Sequence, residues 1–347
     1  MSYEYSENIV VRDGAGDLLK NELHWDVEYA HTTEVLGPDG TFGRESYKEV
    51  LLVRYIKKAL MKFNPWINGN QIDEVIKALR RRLSTQSSLE LNEEKYNLIR
   101  NGVPVKVVNK DGSVETRVAQ LIDFSNPENN DFLAIKELKI HGSVYHRRAD
   151  IVGFVNGLPL LFLELKKTGV DVKAAYTDNY TDYQDSIPQL FYYNAFVMLS
   201  NGLESRIGTL GSKWDFSAEW KRLNEEDAGD TLLDTMLRSV CSKENFLDLF
   251  ENFVLYDHSD GNLVKILARN HQFLGVNRAI EAYRNREELE GRLGIFWHTQ
   301  GSGKSYSMLF LAQKIRRKFG GSPTIVVLTD RDELNKQISG HLKAVVF

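Results

Sequence analysis

The first part of the chain spaces its apolar residues as an amphipathic helix does. Between residues 46 and 63, and again between 70 and 84, apolar side chains recur every three or four positions, which predicts two helices. A third helix is predicted over 89–100 and a short one near 17–23. The glycines and acids scattered through the rest of residues 1–43 predict turns.

From Val103 onwards the pattern is that of strands. Asp111-Gly112 and Asn156-Gly157 are typical of two-residue hairpin turns, so each predicts an antiparallel pair of strands. Helices are predicted over 171–185 and 231–252. Apolar runs predict strands at 131–140, 147–155, 158–166, 195–199 and 202–209.

The polar segment 256–262 predicts a linker between two domains. Beyond it, residues 263–286 have a helical pattern, and the apolar runs 293–297 and 324–329 predict two strands of a β-α-β unit with a right-handed crossover. The chain is therefore predicted to be an α/β protein with two domains, residues 1–260 and residues 261–347.

Composition narrows the class of protein. The chain has 347 residues and a net charge of −4, which suits two globular domains and excludes a polycation. Its single cysteine, Cys241, excludes an internal disulfide and a cysteine-rich zinc site. No apolar run reaches the roughly 18 residues of a membrane span, and the N-terminus lacks a signal-peptide layout. A cytoplasmic protein without membrane association is expected.

A glycine-rich segment lies between the apolar run at 293–297 and a predicted helix at 306–319. It is typical of a phosphate-binding loop for ATP, because its backbone N–H groups and the following helix N-terminus would face a phosphate. Lys304 would reach the outer phosphates and Ser305 would hold Mg²⁺. The alternative is a glycine-rich surface turn. The segment reads His298-Thr299-Gln300-Gly301-Ser302-Gly303-Lys304-Ser305, with histidine where the usual pattern has glycine.

A second group of candidate residues flanks the Asn156-Gly157 turn. Glu164 and Lys166 point to the same face of their predicted strand. Pairing across the turn places Asp150 opposite residue 163, one position from Glu164. Two carboxylates and a backbone carbonyl are suited to Mg²⁺, and a nearby lysine to activating water or stabilising a charged phosphate. The residues thus indicate metal-dependent phosphodiester hydrolysis, with a structural ion pair as the alternative.

Glu-x-Lys is a common pattern, and position decides its meaning. Glu164 lies in an otherwise apolar strand, where a charge needs a partner or a metal. The other occurrences are interpreted as solvated faces of helices or strands: Glu93/Lys95, Glu137/Lys139 and Glu219/Lys221.

In chain order, these segments resemble the restriction (R) subunit of type I restriction-modification enzymes, over essentially the whole chain. The run LIDFSNPENNDF at 121–132 is the most specific of them. The other segments are 43–46, 148–151, 155–160, 164–167, 187–191, 193–194, 200–202 and 297–305, the last being the family's version of the phosphate loop, His298 included.

The resemblance implies a fold and a set of roles. The fold would be a restriction-endonuclease-like mixed sheet with N-terminal helices, followed by the first part of a RecA-like lobe of a superfamily 2 translocase. Asp150, Glu164 and Lys166 would be the catalytic residues of a PD-(D/E)xK nuclease, with Mg²⁺ on the two carboxylates. Ala149 replaces the proline of that pattern, which takes no part in the chemistry.

Two further elements come from the resemblance. Asn179 and Tyr183 match the family's Q-x-x-x-Y element, with asparagine in place of glutamine; an ordinary helix face is the alternative. Gln272 matches a glutamine that recognises adenine, since an amide pairs with both a donor and an acceptor. Its alternative is an exposed helix glutamine. Residues 329–334 resemble motif Ia rather than the acidic ATPase motif, so we expect nucleotide binding without ATPase activity or translocation.

For the intact enzyme, the resemblance implies association with methylation (M) and specificity (S) subunits on double-stranded DNA. An ATP-driven motor would pull the DNA, and the nuclease would cut it without sequence preference. Candidate phosphate contacts are Arg80-Arg81-Arg82, Arg147-Arg148 and Lys166-Lys167, which as lone basic runs are otherwise solvated helix ends. Two rival functions remain: a non-catalytic domain that docks the motor onto its methyltransferase partner, and a plain helicase fragment with an accessory domain.

Overall fold

The computed structural model describes residues 2–109, 111–258, 261–321 and 323–328, with only the backbone for 2–10. The helices are α1 (Ser2–Asn21), α2 (Val53–Phe63), α3 (Gly69–Arg80), α4 (Ser88–Asn101), α5 (Thr181–Ser186), α6 (Leu233–Val240), α7 (Lys243–Asn252), α8 (Asn270–Arg284) and α9 (Lys304–Lys318). The strands are β1 (Asp26–Tyr29), β2 (Val103–Val108), β3 (Val114–Ala119), β4 (Phe132–His141), β5 (His146–Val155), β6 (Leu158–Leu165), β7 (Phe196–Ser200), β8 (Ser205–Gly208), β9 (Ala218–Glu219), β10 (Val254–Asp257) and β11 (Val264–Leu267).

A mixed sheet forms the centre of the described structure. Its strand order is β1-β4-β5-β6-β7-β8-β9, with β1–β4 and β6–β7 parallel and the other pairs antiparallel. Every residue of β6 and β7 is buried, because helices and loops cover both faces at the centre of the sheet. The predicted α/β class with a mixed sheet and N-terminal helices is confirmed.

The turn between β5 and β6 sets the position of the candidate residues. Asn156 and Gly157 have φ values of 51° and 84°, which a two-residue hairpin of this type requires. The pairing then shifts between Gly153 and Phe154, so that Ile151 lies opposite Leu163. The predicted pairing of Asp150 with residue 163 is therefore wrong by one position, because a β-bulge adds a residue that the turn alone does not reveal.

Helix bounds in the N-terminal part differ from prediction. The short helix near 17–23 is wrong in extent, since α1 begins at Ser2. The helix predicted from residue 46 begins only at Val53, because the backbone N–H of Leu52 bonds to Gly157 of the sheet. Strand β1 was expected to be a turn, but its parallel pairing with β4 makes it an edge strand. These differences arise from tertiary contacts that override local spacing.

The predicted linker at 256–262 lies within a hairpin. Strands β10 and β11 pair from Val254↔Leu267 to Asp257↔Val264, so the helix predicted from residue 263 is wrong in its first part. Ser259 and Asp260 lie outside the described residues. The division into domains at 260/261 stays a prediction.

The strands predicted on either side of the phosphate loop are not formed in the described residues. Residues 293–297 and 323–328 have no strand partner there, and Ile295 and Leu328 are 94% and 91% exposed. An apolar run becomes a buried strand only where another strand supplies its hydrogen bonds. The two-strand prediction is therefore wrong for these residues, and the RecA-like lobe stays a prediction. Residues 329–334 lie outside the described part of the chain.

Helix α9, predicted over 306–319, is present and docks on α7. Lys314 forms an ion pair with Asp248, its Nζ lying 2.5 Å from Oδ2, and Gln313 donates a hydrogen bond to the carbonyl of Asn252 at 3.0 Å. Phe310 packs on Phe253. The helix after the phosphate loop is thus held by the same core that carries the sheet.

Candidate functional site

Asp150 and Glu164 lie on neighbouring antiparallel strands, β5 and β6. The backbone N–H of Leu165 donates a 2.9 Å hydrogen bond to Oδ2 of Asp150, which fixes that carboxylate beside Glu164. Burial raises the pKa of Asp150, partly offset by that hydrogen bond and by the charge of Arg12. The structure therefore brings together the two carboxylates that the sequence selected.

Glu164 is the most unusual carboxylate of this group. It is 3% exposed, and its Oε1 accepts a 2.6 Å hydrogen bond from the side-chain amide of Asn179. Its Oε2 is buried and has no hydrogen-bond partner. Burial, and next the charge of Asp150, raise the pKa of Glu164 well above its ordinary value. A buried carboxylate oxygen without a partner is costly unless a cation or ligand completes it.

Asn179 links Glu164 to Lys166. Its amide nitrogen donates to Glu164, and its amide oxygen accepts a hydrogen bond from Nζ of Lys166. Asn179 lies in a π-helical turn, Ala175–Tyr180, ahead of α5. Such turns are common at functional sites, where the extra residue redirects side chains. At this position Asn179 reaches both Glu164 and Lys166, although asparagine is shorter than the glutamine of the family pattern.

Tyr183 supports the site from α5. Its hydroxyl donates a 3.0 Å hydrogen bond to the carbonyl of Arg148, two residues before Asp150, and its ring packs edge-on against Phe162. Burial, and next the charge of Glu164, raise the pKa of Tyr183. Tyr183 therefore stays protonated, and its hydrogen bond to Arg148 helps to hold strand β5 in place.

Sequence reasoning missed Glu137 and Arg12. Glu137 is 1% exposed, so its interpretation as part of a solvated face is wrong. Its carboxylate accepts hydrogen bonds from Arg12 of α1 and from Tyr29 of β1. The sequence offered no clear signal for Glu137, because it lies between Lys136 and Lys139 in strand β4, a pattern typical of a solvated face. Lys95 is also buried, donating to backbone carbonyls, which corrects the same interpretation for Glu93/Lys95.

The residues present fit a hard divalent cation. Asp150 and Glu164 offer oxygen ligands, and the partnerless Oε2 of Glu164 is suited to direct coordination. Among the described residues, no group of three or more histidine, cysteine, aspartate or glutamate side chains is arranged as a complete metal site. Any ion here would complete its coordination with backbone oxygen, water or substrate, as Mg²⁺ commonly does.

The phosphate-loop residues form a turn that leads into α9. Gly301 and Gly303 have φ values of 78° and 82°, which glycine adopts without strain. Nζ of Lys304 donates to the carbonyls of His298 and Thr299, at 2.9 and 3.0 Å. His298 does not have a positive φ and stacks on a neighbouring phenylalanine, so this position does not require glycine.

Gln272 contacts the phosphate loop directly. It is 3% exposed, so the alternative of an exposed helix glutamine is wrong. Its Nε2 donates to the carbonyl of Gly303 at 2.8 Å, and its Oε1 accepts from the backbone N–H of Arg269 at 2.8 Å. Both ends of the amide are thus engaged within the protein. Ser302 is also tied to α8, its carbonyl lying 3.0 Å from Nε2 of His271.

Two of the candidate basic runs are partly neutralised. Arg80 pairs with Glu49 at 2.9 Å, and Nη2 of Arg147 lies 2.7 Å from Oδ1 of Asp182. These arginines would need to exchange partners before contacting a phosphate.

Comparison with known proteins shows the family to which this chain belongs. A family model described as the type I restriction enzyme R protein N terminus matches residues 4–216, and one described as SWI2/SNF2 ATPase matches residues 271–346. The chain therefore belongs to the type I restriction enzyme R protein family.

Individual relatives agree with this assignment. The type I restriction enzyme HindI endonuclease subunit of Haemophilus influenzae is 34% identical over 333 residues, covering 91% of this chain and 31% of that protein. The putative type I restriction enzyme MjaIXP endonuclease subunit of Methanocaldococcus jannaschii is 31% identical over 364 residues, covering 96% and 34%. The chain thus spans about a third of the length of these relatives. No helix among its described residues is long and apolar enough to cross a membrane.

Proposed function

We propose that this chain is the nuclease-bearing and nucleotide-binding part of a type I restriction motor subunit in the cytoplasm. It hydrolyses phosphodiester bonds of unmodified double-stranded DNA with Mg²⁺. In the intact complex with methylation and specificity subunits, cleavage is coupled to ATP-driven translocation. The observation that carries this proposal is the partnerless, buried Oε2 of Glu164 beside Asp150.

Each polar residue of the site has a separate task in this mechanism. When bound by Asp150 and Glu164, Mg²⁺ supplies Lewis-acid polarisation of the phosphate and a more acidic water. Asn179 holds the carboxylate of Glu164 in place and orients the amine of Lys166 through its other end. Lys166 donates hydrogen bonds to the attacking water or to the phosphate oxygen that gains charge.

In this proposal, the loop at 298–305 binds the nucleotide. Lys304 would release its two loop carbonyls to reach the outer phosphates of ATP, Ser305 would hold the accompanying Mg²⁺, and the N–H groups around Gly301 and Gly303 would face the phosphates. Recognition of adenine by Gln272 requires its amide to release Arg269 or Gly303. On this proposal, the chain by itself binds nucleotide without hydrolysing it.

The decisive experiment separates the two chemistries. The full-length subunit is assembled with its methylation and specificity partners, ATP, Mg²⁺ and unmodified circular DNA. Glu164→Ala and Lys166→Ala are expected to lower cleavage by about a thousandfold while ATP hydrolysis is unchanged. Lys173→Ala, at an exposed lysine, is the matched control. Loss of ATP hydrolysis together with cleavage would instead indicate general damage.

The rival function is a docking domain without catalysis. Its support is the attachment of α9 to α7 through Lys314 and Asp248, which ties the phosphate-loop helix to the sheet-bearing part of the chain. If Glu164→Ala and Lys166→Ala assemblies cut DNA at the normal rate, the nuclease assignment fails. Normal cleavage would leave docking as the better description.

The role of Asn179 has its own test. Asn179→Ala removes the link between Glu164 and Lys166, so cleavage is expected to fall about ten- to a hundredfold. Asn179→Gln keeps the amide and is expected to retain most of the activity. The exposed neighbour Asp178→Ala should cut normally. Equal activity of all three variants would place Asn179 outside the working site.

A further inference from the structure

Arg12 reaches the candidate nuclease site from helix α1. It is 8% exposed, its Nη1 donates to Oε1 of Glu137, and the same Nη1 lies 4.0 Å from Oδ1 of Asp150. The hydroxyl of Tyr29 holds the other oxygen of Glu137 at 2.6 Å. One guanidinium therefore lies between two carboxylates, one of which is a proposed metal ligand.

Glu137 occupies its place through a strained backbone. Its φ is 54° although it lies in strand β4, a conformation that is strained for a non-glycine residue. The flanking pairs Lys136↔Ile151 and Leu138↔Ala149 put Glu137 at the level of Asp150 on the neighbouring strand. The sheet thus brings the buried carboxylate of Glu137 next to the half-buried Asp150, on the side reached by α1.

Glu137, Asp150 and Glu164 lie on the neighbouring strands β4, β5 and β6, but among the described residues they do not form a complete metal site as they stand. Two-metal nucleases hold their ions roughly 3.5–4 Å apart, where the two charges stabilise the attacking and the leaving oxygens. Here Asp150 lies between Glu164 on β6 and Glu137 on β4. The side toward Glu164 has the partnerless Oε2, whereas the side toward Glu137 contains the guanidinium of Arg12.

We propose that Arg12 takes the place of a second metal ion, so that the nuclease site binds a single divalent cation between Asp150 and Glu164. This inference rests on the proposed nuclease function. Arginine is suited to the task because its guanidinium stays charged at all physiological pH values and presents several donors in a fixed plane. Glu137 and Tyr29 act as positioning residues that hold this charge against Asp150.

Arg148 is the matched comparison. Its Nη2 lies 3.7 Å from Oε1 of Glu137, but its side chain is 39% exposed and also contacts His31. It belongs to the rim of the site, whereas Arg12 has a side chain only 9% exposed. Removing Arg148 should therefore leave the cation count unchanged.

The test counts Mn²⁺ ions bound by this chain without nucleotide, using electron paramagnetic resonance of free Mn²⁺ and calorimetry. Ions retained by an Asp150→Asn/Glu164→Gln variant are subtracted as background. Wild type, Arg12→Lys and Arg148→Ala are expected to bind one ion. Arg12→Ala and Arg12→Gln vacate the position beside Glu137 and should bind two, and adding Glu137→Gln should return the count to one.

The outcomes distinguish the inference from the function on which it rests. Wild type binding no ion at Asp150 and Glu164 overturns the proposed metal-dependent nuclease itself. Two ions in wild type, or one ion in folded Arg12→Gln, overturn only the role of Arg12. Circular dichroism establishes folding of each variant, and Arg12→Gln, which keeps a polar side chain but is shorter and removes the charge between Glu137 and Asp150, remains informative if Arg12→Ala unfolds.

Discussion

The two functional motifs of this chain lie in different structural settings. The carboxylates of the proposed nuclease site lie on β5 and β6, with further strands hydrogen-bonded on both sides. The phosphate loop lies between apolar segments that have no strand partner among the described residues, where Ile295 is 94% exposed. The comparison shows that a motif acquires its geometry from the elements around it: strands position the two carboxylates, whereas helices position the phosphate loop.

The phosphate loop is held in place by helices rather than by strands. Gln272 and His271 of α8 hold the carbonyls of Gly303 and Ser302, and α9 packs against α8 and α7. Substitutions in the sheet should therefore strongly change the stability of the whole molecule, whereas substitutions in the loop should change stability little and ligand binding more.

The largest expected difference in stability is between alanine substitutions at two glycines, Gly157 beside the sheet and Gly301 in the phosphate loop. Gly157 has a φ of 84°, and an added Cβ would lie 2.4 Å from the carbonyl oxygen of Leu52. Gly157→Ala should lower the free energy of unfolding by about 3 kcal/mol, through strain and displacement of α2. Gly301 has a φ of 78° with open space around it, so Gly301→Ala should cost only about 1 kcal/mol. Urea unfolding of both variants measures the difference, and equal losses would contradict the comparison.

The β10–β11 hairpin, which follows the sheet and precedes the phosphate loop along the chain, contains a buried lysine, Lys265. Burial lowers the pKa of Lys265 to about 7, and its Nζ donates to Oδ1 of Asn92 and to the carbonyl of Asn194. Because the unfolded chain keeps this proton to higher pH, the stability of the folded protein should rise with pH above 7, by at most about 1.4 kcal/mol per unit.

Lys265→Met tests that pH dependence. The variant should lose about 2 kcal/mol of the rise in unfolding free energy between about pH 7 and about pH 9. Lys106→Met, on the exposed side of β2, should keep the wild-type slope. An unchanged slope in Lys265→Met would show that the buried amine is not neutral in the folded protein.

Glu164→Gln should stabilise the metal-free protein. The pKa of Glu164 is raised in the folded state, so its contribution to stability is present below the unfolded pKa and is lost as pH rises through the folded one. At neutral pH in EDTA, removing this charge should raise the free energy of unfolding by about 1 kcal/mol. Mg²⁺ should raise the melting temperature of wild type but not of the variant. A lower melting temperature for Glu164→Gln in EDTA would argue for a structural ion pair.

Lys304→Ala should give the smallest change in stability and a large change in binding. The side chain is exposed and bonds only to carbonyls of its own loop, so unfolding should shift by less than about 0.5 kcal/mol. Binding of a fluorescent ATP analogue should weaken about tenfold or more, through loss of a charge-assisted phosphate contact. Unchanged binding would indicate that the loop is a surface turn.

Local patterns were sufficient for much of the sheet and for the candidate nuclease residues. Asn156-Gly157 identified the β5–β6 hairpin, because only a few residue pairs adopt its two positive φ values. A charge within an apolar strand identified Glu164, since such a charge needs a partner. The same reasoning could not find the buried Glu137, because lysines flank it in strand β4.

The sequence by itself determined the strand and helix types around the proposed nuclease site, the two motifs and the family, because these depend on neighbouring residues. Only the tertiary structure decided the bulge that places Ile151 opposite Leu163, and the approach of Arg12 to Glu137 across 125 positions of the chain. It also decided that the apolar runs beside the phosphate loop remain exposed. The physical reason is that register, burial and charge pairing depend on which elements meet in space, and no local pattern encodes those partners.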